Sequence, residues 1–531
     1  MSPTVDVSIV GHCAEKVIFH AADPTRGAIN LDANVQVSAS NMTLLGYHAT
    51  VGMTAGDLTL DSVVIDGSHF TGIAIGNAQS TAKLTNVVVR GTRAGATDAN
   101  AFGLYVGYGA KVTVTNSEFA DNDYINVGVS GDGRSGASLL MSQSVVRDGH
   151  PLGTSNGFGW GVYGSNLVTI GIDQSAIVGN RGFGVLLNST SAASAAKGTI
   201  TASVVRGTAI DPGNVSAVGI GVESNKSTLD IEQTTIADSS GVDVYGSEGS
   251  VKMTGDTLLG TSSADPTVLG PIGLVLYGAT ATLQSLAIVG ASAGAEIEGA
   301  TTAEMDDSLI DGTKTSSKGY YVSNNYVGVG IFVETAAQIT LKNTTIENAH
   351  TAGLITLGQT TATGLVVLGT RAGGDGIGGR AVSSQGGATI AIAGSAFLDN
   401  IETGVLAAQG STLSLTDSTV DQTGLDEAGR FGIGVLLADD QTTATISSTT
   451  LRRGAGPGLA VSASGATVTS CAVLDNAIGV SVQGGSSLVE GLGNGDPQTV
   501  AISNDTIFVG NATRVGSGDI PLPPVLTTPK P

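Results

Sequence analysis

The chain has 531 residues, of which 78 are glycine and 13 proline, with 13% charged and 41% hydrophobic residues. These proportions exclude collagen, which needs a proline-rich Gly-x-y register, and disorder, which needs an apolar-poor chain. The net charge of −22, from 23 Lys and Arg against 45 Asp and Glu, argues against nucleic acid, whose affinity comes from cations on phosphates. It also argues against anionic membranes, and it suits cations such as Ca²⁺ and neutral glycans.

The first residues, Met1-Ser2-Pro3-Thr4, lack the charged and apolar regions of a secretory leader. Either the protein is cytosolic or a signal peptide has been removed, and the natural chain is expected to continue on one or both sides. No apolar run approaches the roughly 18 residues of a membrane-spanning helix, so no transmembrane segment is expected. Residues 1–34 are read as an N-terminal cap with the first strands.

From Gly72 onward a phrase Gly-Φ-x-Φ, with Φ aliphatic, returns about sixteen times, at Gly72, Gly103, Asn126, Gly161, Gly184 and on to Gly479. Self-similarity at 20–50 residues marks a solenoid. A solenoid's core grows in one dimension, so the chain can exceed the size of a single compact core. One period reads as three strands. Gly103-Leu104-Tyr105-Val106 is a short strand. Ala110-Lys111-Val112-Thr113-Val114-Thr115 alternates polar and apolar, the mark of a half-buried strand. Ser117-Glu118-Phe119 is a third, shorter one. Residues 404–420 and 458–474 repeat this grammar.

Three strands per rung imply a triangular coil with apolar residues stacked inside. The six-residue periodicity of left-handed hexapeptide coils and the Leu-x-x-Leu-x-Leu of leucine-rich repeats are absent. The expected fold is therefore all-β, a right-handed parallel β-helix of about 16 to 19 rungs over residues 35–510. Residues 511–531, with Pro521, Pro523, Pro524, Pro529 and Pro531, read as a Pro-rich tail or linker.

Rung lengths alternate as far as Gly353. Gly72 to Asn126 is 54 residues, Asn126 to Gly184 is 58, and Gly184 to Gly241 is 57, so the unit is a two-rung pair. Short rungs close on Asp121-Asn122, Gly179-Asn180, Asp399-Asn400 or Asp475-Asn476. Asn tolerates the left-handed conformation a tight corner needs. Long rungs leave from Gly91, Gly149, Gly207, Gly260, Gly312 and Gly369 on detours of 10 to 16 residues. Long loops on alternate rungs along one edge are expected, and such loops commonly bear function.

Seven aromatic residues lie in these detours or in the similar one at 424–431: Phe102, Phe158, Trp160, Tyr320, Tyr321, Tyr326 and Phe431. Tyr105, Tyr108, Tyr163, Tyr245, Tyr277 and Phe332 follow in adjoining strands. They form either a stacking ridge for sugar rings or a protein partner, or plugs that fold each loop onto the sheet. Asp98, Asp211, Asp265 and Asp375 are the carboxylates that stacked loops would offer to Ca²⁺ through six to eight oxygens, although their offsets differ and Asp211-Pro212-Gly213 also reads as a plain turn. Gly373-Gly374-Asp375-Gly376-Ile377-Gly378-Gly379 resembles one nonapeptide Ca²⁺ repeat of the RTX type, in a single copy. No cofactor is otherwise indicated.

The clusters Arg147-Asp148 with His150, Lys314 with Lys318, and Arg371 with Asp375 and Arg380 read as surface charge. No paired carboxylates or metal-spaced histidines appear, so no catalytic residue is assigned. Cys13 and Cys471 lie at opposite ends of the array, too far apart to bridge, and Cys471 reads as a small near-core residue.

The order Gly-Val-x-Val, Gly/Ala-Thr-Val-x-Val, Ser-x-Val-x-Asp-Asn resembles secreted bacterial right-handed parallel β-helix repeat proteins of the pectate-lyase-like superfamily. The opening Val7-Ser8-Ile9-Val10-Gly11-His12-Cys13-Ala14-Glu15-Lys16-Val17-Ile18 resembles the start of such domains. The resemblance implies the fold and an extracellular or cell-surface setting. That superfamily spans lyases, hydrolases, tailspikes and non-catalytic surface proteins, and fold does not determine function. The calcium ligands and catalytic Arg or Lys of pectate lyases find no matching positions here. The reading is a non-enzymatic stalk, adhesin or filament component presenting its loop ridge to a glycan or protein, with end-to-end or lateral self-association. The alternative is a polysaccharide lyase or glycoside hydrolase acting on a sheet-face groove.

Overall fold

The structure is a computed structural model. It describes every residue except 1–2, 4, 24, 33, 95–100, 133–134, 152–156, 212–218, 261–270, 315–320, 323–324, 327, 375, 492–497, 519, 525 and 527–531; of 321, 322, 325 and 326 it describes the backbone alone. The chain divides into two units, Met1–Leu259 and Gly260–Pro531.

Each unit is a stack of three-strand rungs. In the first unit, Phe102–Gly107, Lys111–Thr115 and Glu118–Ala120 make one rung, and Ile125–Ser130, Ser138–Ser142 and Val145–Arg147 make the next. First strand pairs with first, second with second and third with third, all parallel and in register: Leu104 meets Val127, Val112 meets Leu139, Phe119 meets Val146. The second unit repeats this. Thr403–Ala407, Thr412–Thr416 and Thr419–Asp421 lie on Ile433–Ala438, Thr443–Ser447 and Thr450–Arg452. Among the described residues the first unit holds nine first strands and the second ten, matching the expected number of rungs.

The alternation read in the sequence fixes what faces inward. Val112 and Val114 are buried while Lys111 and Thr113 are exposed, and Leu413 and Leu415 repeat this beside Thr412. The inward residues form columns of Val, Ile and Leu, each buried side chain contributing about 1.5–3 kcal/mol.

Two side-chain ladders hold the corners. Between second and third strands, a hydroxyl in most rungs accepts the backbone N–H of the rung before: Ser117 to Ser144 at 3.1 Å, Ser144 to Ser175 at 3.1 Å, Ser175 to Ser203 at 3.0 Å. The residue before each hydroxyl takes positive φ, as at Asn116 (50°) and Gln143 (50°), which makes the bend. Cys471 takes a hydroxyl's place in this ladder; it is buried, its thiol lies 3.2 Å from the Thr469 carbonyl, and its backbone N–H donates to the Thr506 hydroxyl.

At the short third-to-first corner the left-handed residue is Asp121 (φ 54°), Asp399 (52°) or Asp475 (55°), not the Asn after it. The asparagines are buried and bonded. The sequence reading placed the left-handed conformation on the wrong member of the pair, because it did not count the orphan backbone groups that a buried amide can satisfy.

The long connections leave from the third strand and return at the first, as between Arg90 and Phe102 or Arg206 and Ile220. In the second unit Tyr321–Val322 and Asn325–Tyr326 pair as an antiparallel ribbon inside such a connection.

Candidate functional site

On the outer side of the first-strand sheet of the first unit, aromatic rings form a continuous strip. Tyr105 lies 5.2 Å from Phe102 between centroids, Phe102 5.3 Å from Tyr124, and Tyr124 4.5 Å from Phe158. Phe158 lies 4.2 Å from Trp160, which packs on Tyr163 at 5.4 Å and on Phe183 at 5.2 Å. The contacts are tilted or edge-on, the arrangement ring quadrupoles favour.

Local backbone makes the room. A Cβ on Gly128 would stand 2.7 Å from the Phe102 ring, and one on Gly107 2.8 Å from Tyr105. Gly128 makes room for the Phe102 ring of the neighbouring strand, and Gly107 for the Tyr105 ring of its own strand. Phe102, Tyr105, Tyr124, Phe158 and Tyr163 remain half-buried, and Trp160 is 9% exposed. The Trp160 indole N–H is buried with no acceptor among the described residues. Burial, with Tyr108 beside it, pushes the Tyr105 phenol up to about 12.

Registered outward positions continue the strip. Tyr105, Gly128, Tyr163, Leu186, Glu223 and Tyr245 face one another on successive strands. From Tyr105 to Tyr245 is five strand steps, about 24 Å. Burial pushes the Glu223 carboxyl up to about 7. It has no hydrogen-bond partner or cation among the described residues. Sequence reasoning passed over Glu223, yet it occupies the x of Gly221-Val222-Glu223-Ser224, the outward position of the repeat phrase.

The other residues singled out in the sequence are dispersed. Phe431 is 9% exposed, packed among Leu406, Leu436 and Ala460 with the Arg430 guanidinium 4.9 Å from its ring. Tyr320, Asp98, Asp265, Asp375 and Lys318 lie outside the described residues, as do the side chains of Tyr321 and Tyr326. Asp211 is 1% exposed and accepts the Phe158 N–H at 2.5 Å, so it positions a ring of the strip. Among the described residues, no group of three or more His, Cys, Asp or Glu side chains gathers as a metal site would require.

Of the charge clusters, Arg147 pairs with Glu118 at 2.5 Å and with Asp148, while His150 meets Asp121 at 2.8 Å. Lys314 donates to the Gly260 carbonyl at 2.9 Å, and Arg371 pairs with Asp399 at 2.8 Å. Arg380 is the exception to a surface reading. It is fully buried, and its Nε meets Glu402 Oε1 at 2.5 Å.

Among the described residues no helix is long and apolar enough to cross a membrane.

Residues 329–494 match the family described as right handed beta helix region. Among curated proteins no sequence matches the chain. Among solved structures, the N-terminal fragment of bacteriophage Phi29 gene product 12 is similar at 12% identity, with 93% of this chain and 87% of that chain covered and a TM-score of 0.42. The PL6 family alginate lyase AlyGC is similar at 11% identity, with 96% of each chain covered and a TM-score of 0.30. Tailspike protein 3 of bacteriophage CBA120 is similar at 9% identity, with 90% of this chain and 57% of that chain covered and a TM-score of 0.25. With its strands stacked in parallel register and residues 329–494 matching that family, the chain is a right-handed parallel β-helix protein.

Proposed function

We propose that the first unit is a non-enzymatic carbohydrate-binding surface, part of an extracellular or cell-surface β-solenoid that serves as a stalk, adhesin or filament component. The observation that carries this reading is the run of rings from Tyr105 to Tyr163 on a registered parallel sheet. Half-buried rings held by their neighbours offer flat apolar faces at little entropic cost, which suits the CH faces of sugars. A 24 Å column suits an oligosaccharide better than a single sugar, and the net charge of −22 favours neutral glycans over polyanionic ones.

The test is a glycan panel read by binding and by the fluorescence of Trp160, the chain's one tryptophan. Neutral oligosaccharides shift the emission, and Tyr163→Ala weakens binding about tenfold with unchanged circular dichroism. A panel in which no glycan binds ends this reading.

A second reading, a lyase or hydrolase, is favoured by one observation. Glu223, protonated to near neutral pH, sits on the same outer column, as a general acid would. Glycan cleavage, assayed with and without Ca²⁺ and abolished by Glu223→Gln, would establish it over the binding role.

A further inference from the structure

In the second unit, the outward column of the first-strand sheet is apolar from Phe332 to Ala460, Ser383 excepted. Phe332, Ile355, Ser383, Leu406, Leu436 and Ala460 succeed one another in register. Such a column would ordinarily face water, yet Phe332, Ile355, Leu406 and Leu436 are each no more than 2% exposed. Residues 520–524 and Leu526 cover it. Ile520 packs on Leu406, Phe431, Leu436 and Ala460, and Leu526 packs among Val329, Phe332, Ala352 and Ile355.

The segment's burial has a period of three. Ile520 is half-buried, Pro523 and Leu526 are buried, and Pro521, Leu522 and Pro524 are exposed. Three residues per turn is the repeat of polyproline II. Six residues of it advance about 19 Å at about 3.1 Å each. Three to four strand steps, about 14–19 Å, separate the two clusters, so the repeat of the peptide matches that of the sheet.

Polar groups fix its ends. The Gln483 side chain is paired with the backbone of Ile520 in both directions: the Ile520 N–H donates to Gln483 Oε1 at 2.7 Å, and Gln483 Nε2 donates to the Ile520 carbonyl at 3.0 Å. Arg380 Nη2 donates to the Pro524 carbonyl. Glu402 holds that guanidinium, and its second oxygen accepts the Gly378 N–H at 3.0 Å. A polyproline II segment lacks internal backbone bonds and offers its carbonyls outward, which is how such peptides are recognised.

We infer that this outer face is a binding groove for an apolar, proline-rich extended peptide, filled here by the chain's own residues 520–524 and Leu526, and that the same segment of a second copy of the chain can take its place. Exchange of identical elements between copies is a low-cost route to association, because every contact is reused. The tethered segment competes at the millimolar effective concentration typical of a short linker, so exchange is favoured in concentrated protein.

The experiment uses the full chain and a fluorescein-labelled synthetic peptide spanning residues 518–531, read by anisotropy. The doubly substituted Ile520→Asp, Leu526→Asp chain, with its own segment released, binds the peptide at least about tenfold more tightly than the wild type does. Adding Gln483→Ala to that chain abolishes the gain. Equal binding by wild-type and released chains, or indifference to Gln483→Ala, overturns the inference. A second arm needs no substitution. Two differently tagged wild-type populations are concentrated together, diluted and captured on one tag. Co-capture that excess unlabelled peptide prevents is the expected result, and absence of co-capture overturns the exchange.

Discussion

The side-chain oxygen of Asn122 accepts the backbone N–H of Thr92, one rung earlier, at 3.0 Å. Its Nδ2 reaches the carbonyl of Val89 at 3.4 Å. The same double contact recurs at other corners that carry an asparagine. Asn180 serves Gly149 and Val146, Asn400 serves Thr370 and Val367, and Asn476 serves Gly454 and Leu451. Past the end of the third strand the backbone leaves the ladder, so the N–H of Thr92 and its equivalents needs an acceptor, and the buried amide oxygen of the next rung supplies it. The carbonyl that the Nδ2 meets belongs to the strand itself, as Val89 does in register with Phe119, and takes the amide as a second donor.

Replacing Asn122 by Ala therefore strands the buried backbone N–H of Thr92. The expected loss is about 1–3 kcal/mol, the cost of one orphaned group. In a repeat protein the damage stays near the site. Hydrogen exchange is the measurement: faster exchange at Thr92 and neighbouring strands, with distant rungs of the same unit unchanged. Uniformly faster exchange throughout the unit would contradict a local role.

The repeat phrase made the coil legible, because alternation in Lys111–Thr115 and its equivalents must bury one set of side chains whatever the loops do. The corner asparagines were legible as corners but not as ladders, since a hydrogen bond between residues 30 apart leaves no local pattern. Phe102, Phe158 and Trp160 were visible as loop aromatics. Their union with Tyr105, Tyr124 and Tyr163 depends on a register that glycines at 107 and 128 permit, and that needs three dimensions. Arg380 looked like surface charge beside Arg371. Its partner Glu402 is 22 residues away, and the tail that caps it is 144 residues away.

The hydroxyl ladder of the first unit predicts a pH dependence. Its place after Thr234 is taken by Asp256, whose two oxygens accept the Thr234 and Thr254 N–H groups at 2.8 Å each. Burial outweighs those bonds and pushes the carboxyl from 3.8 up to about 6. The folded state thus holds a proton that the unfolded state releases near pH 4, so the contribution is fully present below pH 4 and is lost as pH rises to 6. Glu223, pushed from 4.5 up to about 7, acts in the same direction over pH 4.5–7. The first unit is expected to lose stability across this window. Asp256→Ser keeps an acceptor and removes the titration, flattening the curve by on the order of 1–2 kcal/mol. Urea midpoints at pH 4.5 and 7 measure it, and a D256S chain with the wild-type slope would refute the assignment.

Arg380 and Glu402 form a buried pair, 0% and 2% exposed, and the physics of such pairs separates single from double replacement. Burial pushes the Glu402 carboxyl up even though Arg380 pulls it down, so desolvation is the larger influence on this acid. Arg380→Met leaves Glu402 buried without its cation and is expected to cost about 3–5 kcal/mol. Arg380→Met with Glu402→Gln removes both charges. Much of that cost should return, because apolar or neutral replacements of a buried pair are often nearly neutral. What should not return is the bond to the Pro524 carbonyl. The double variant should therefore regain most of its stability in urea while the tail beyond Gly518 becomes more open to limited proteolysis. Recovery of both together would show that Arg380 serves Glu402 alone. Recovery of neither would show that the cluster is held by packing rather than by charge.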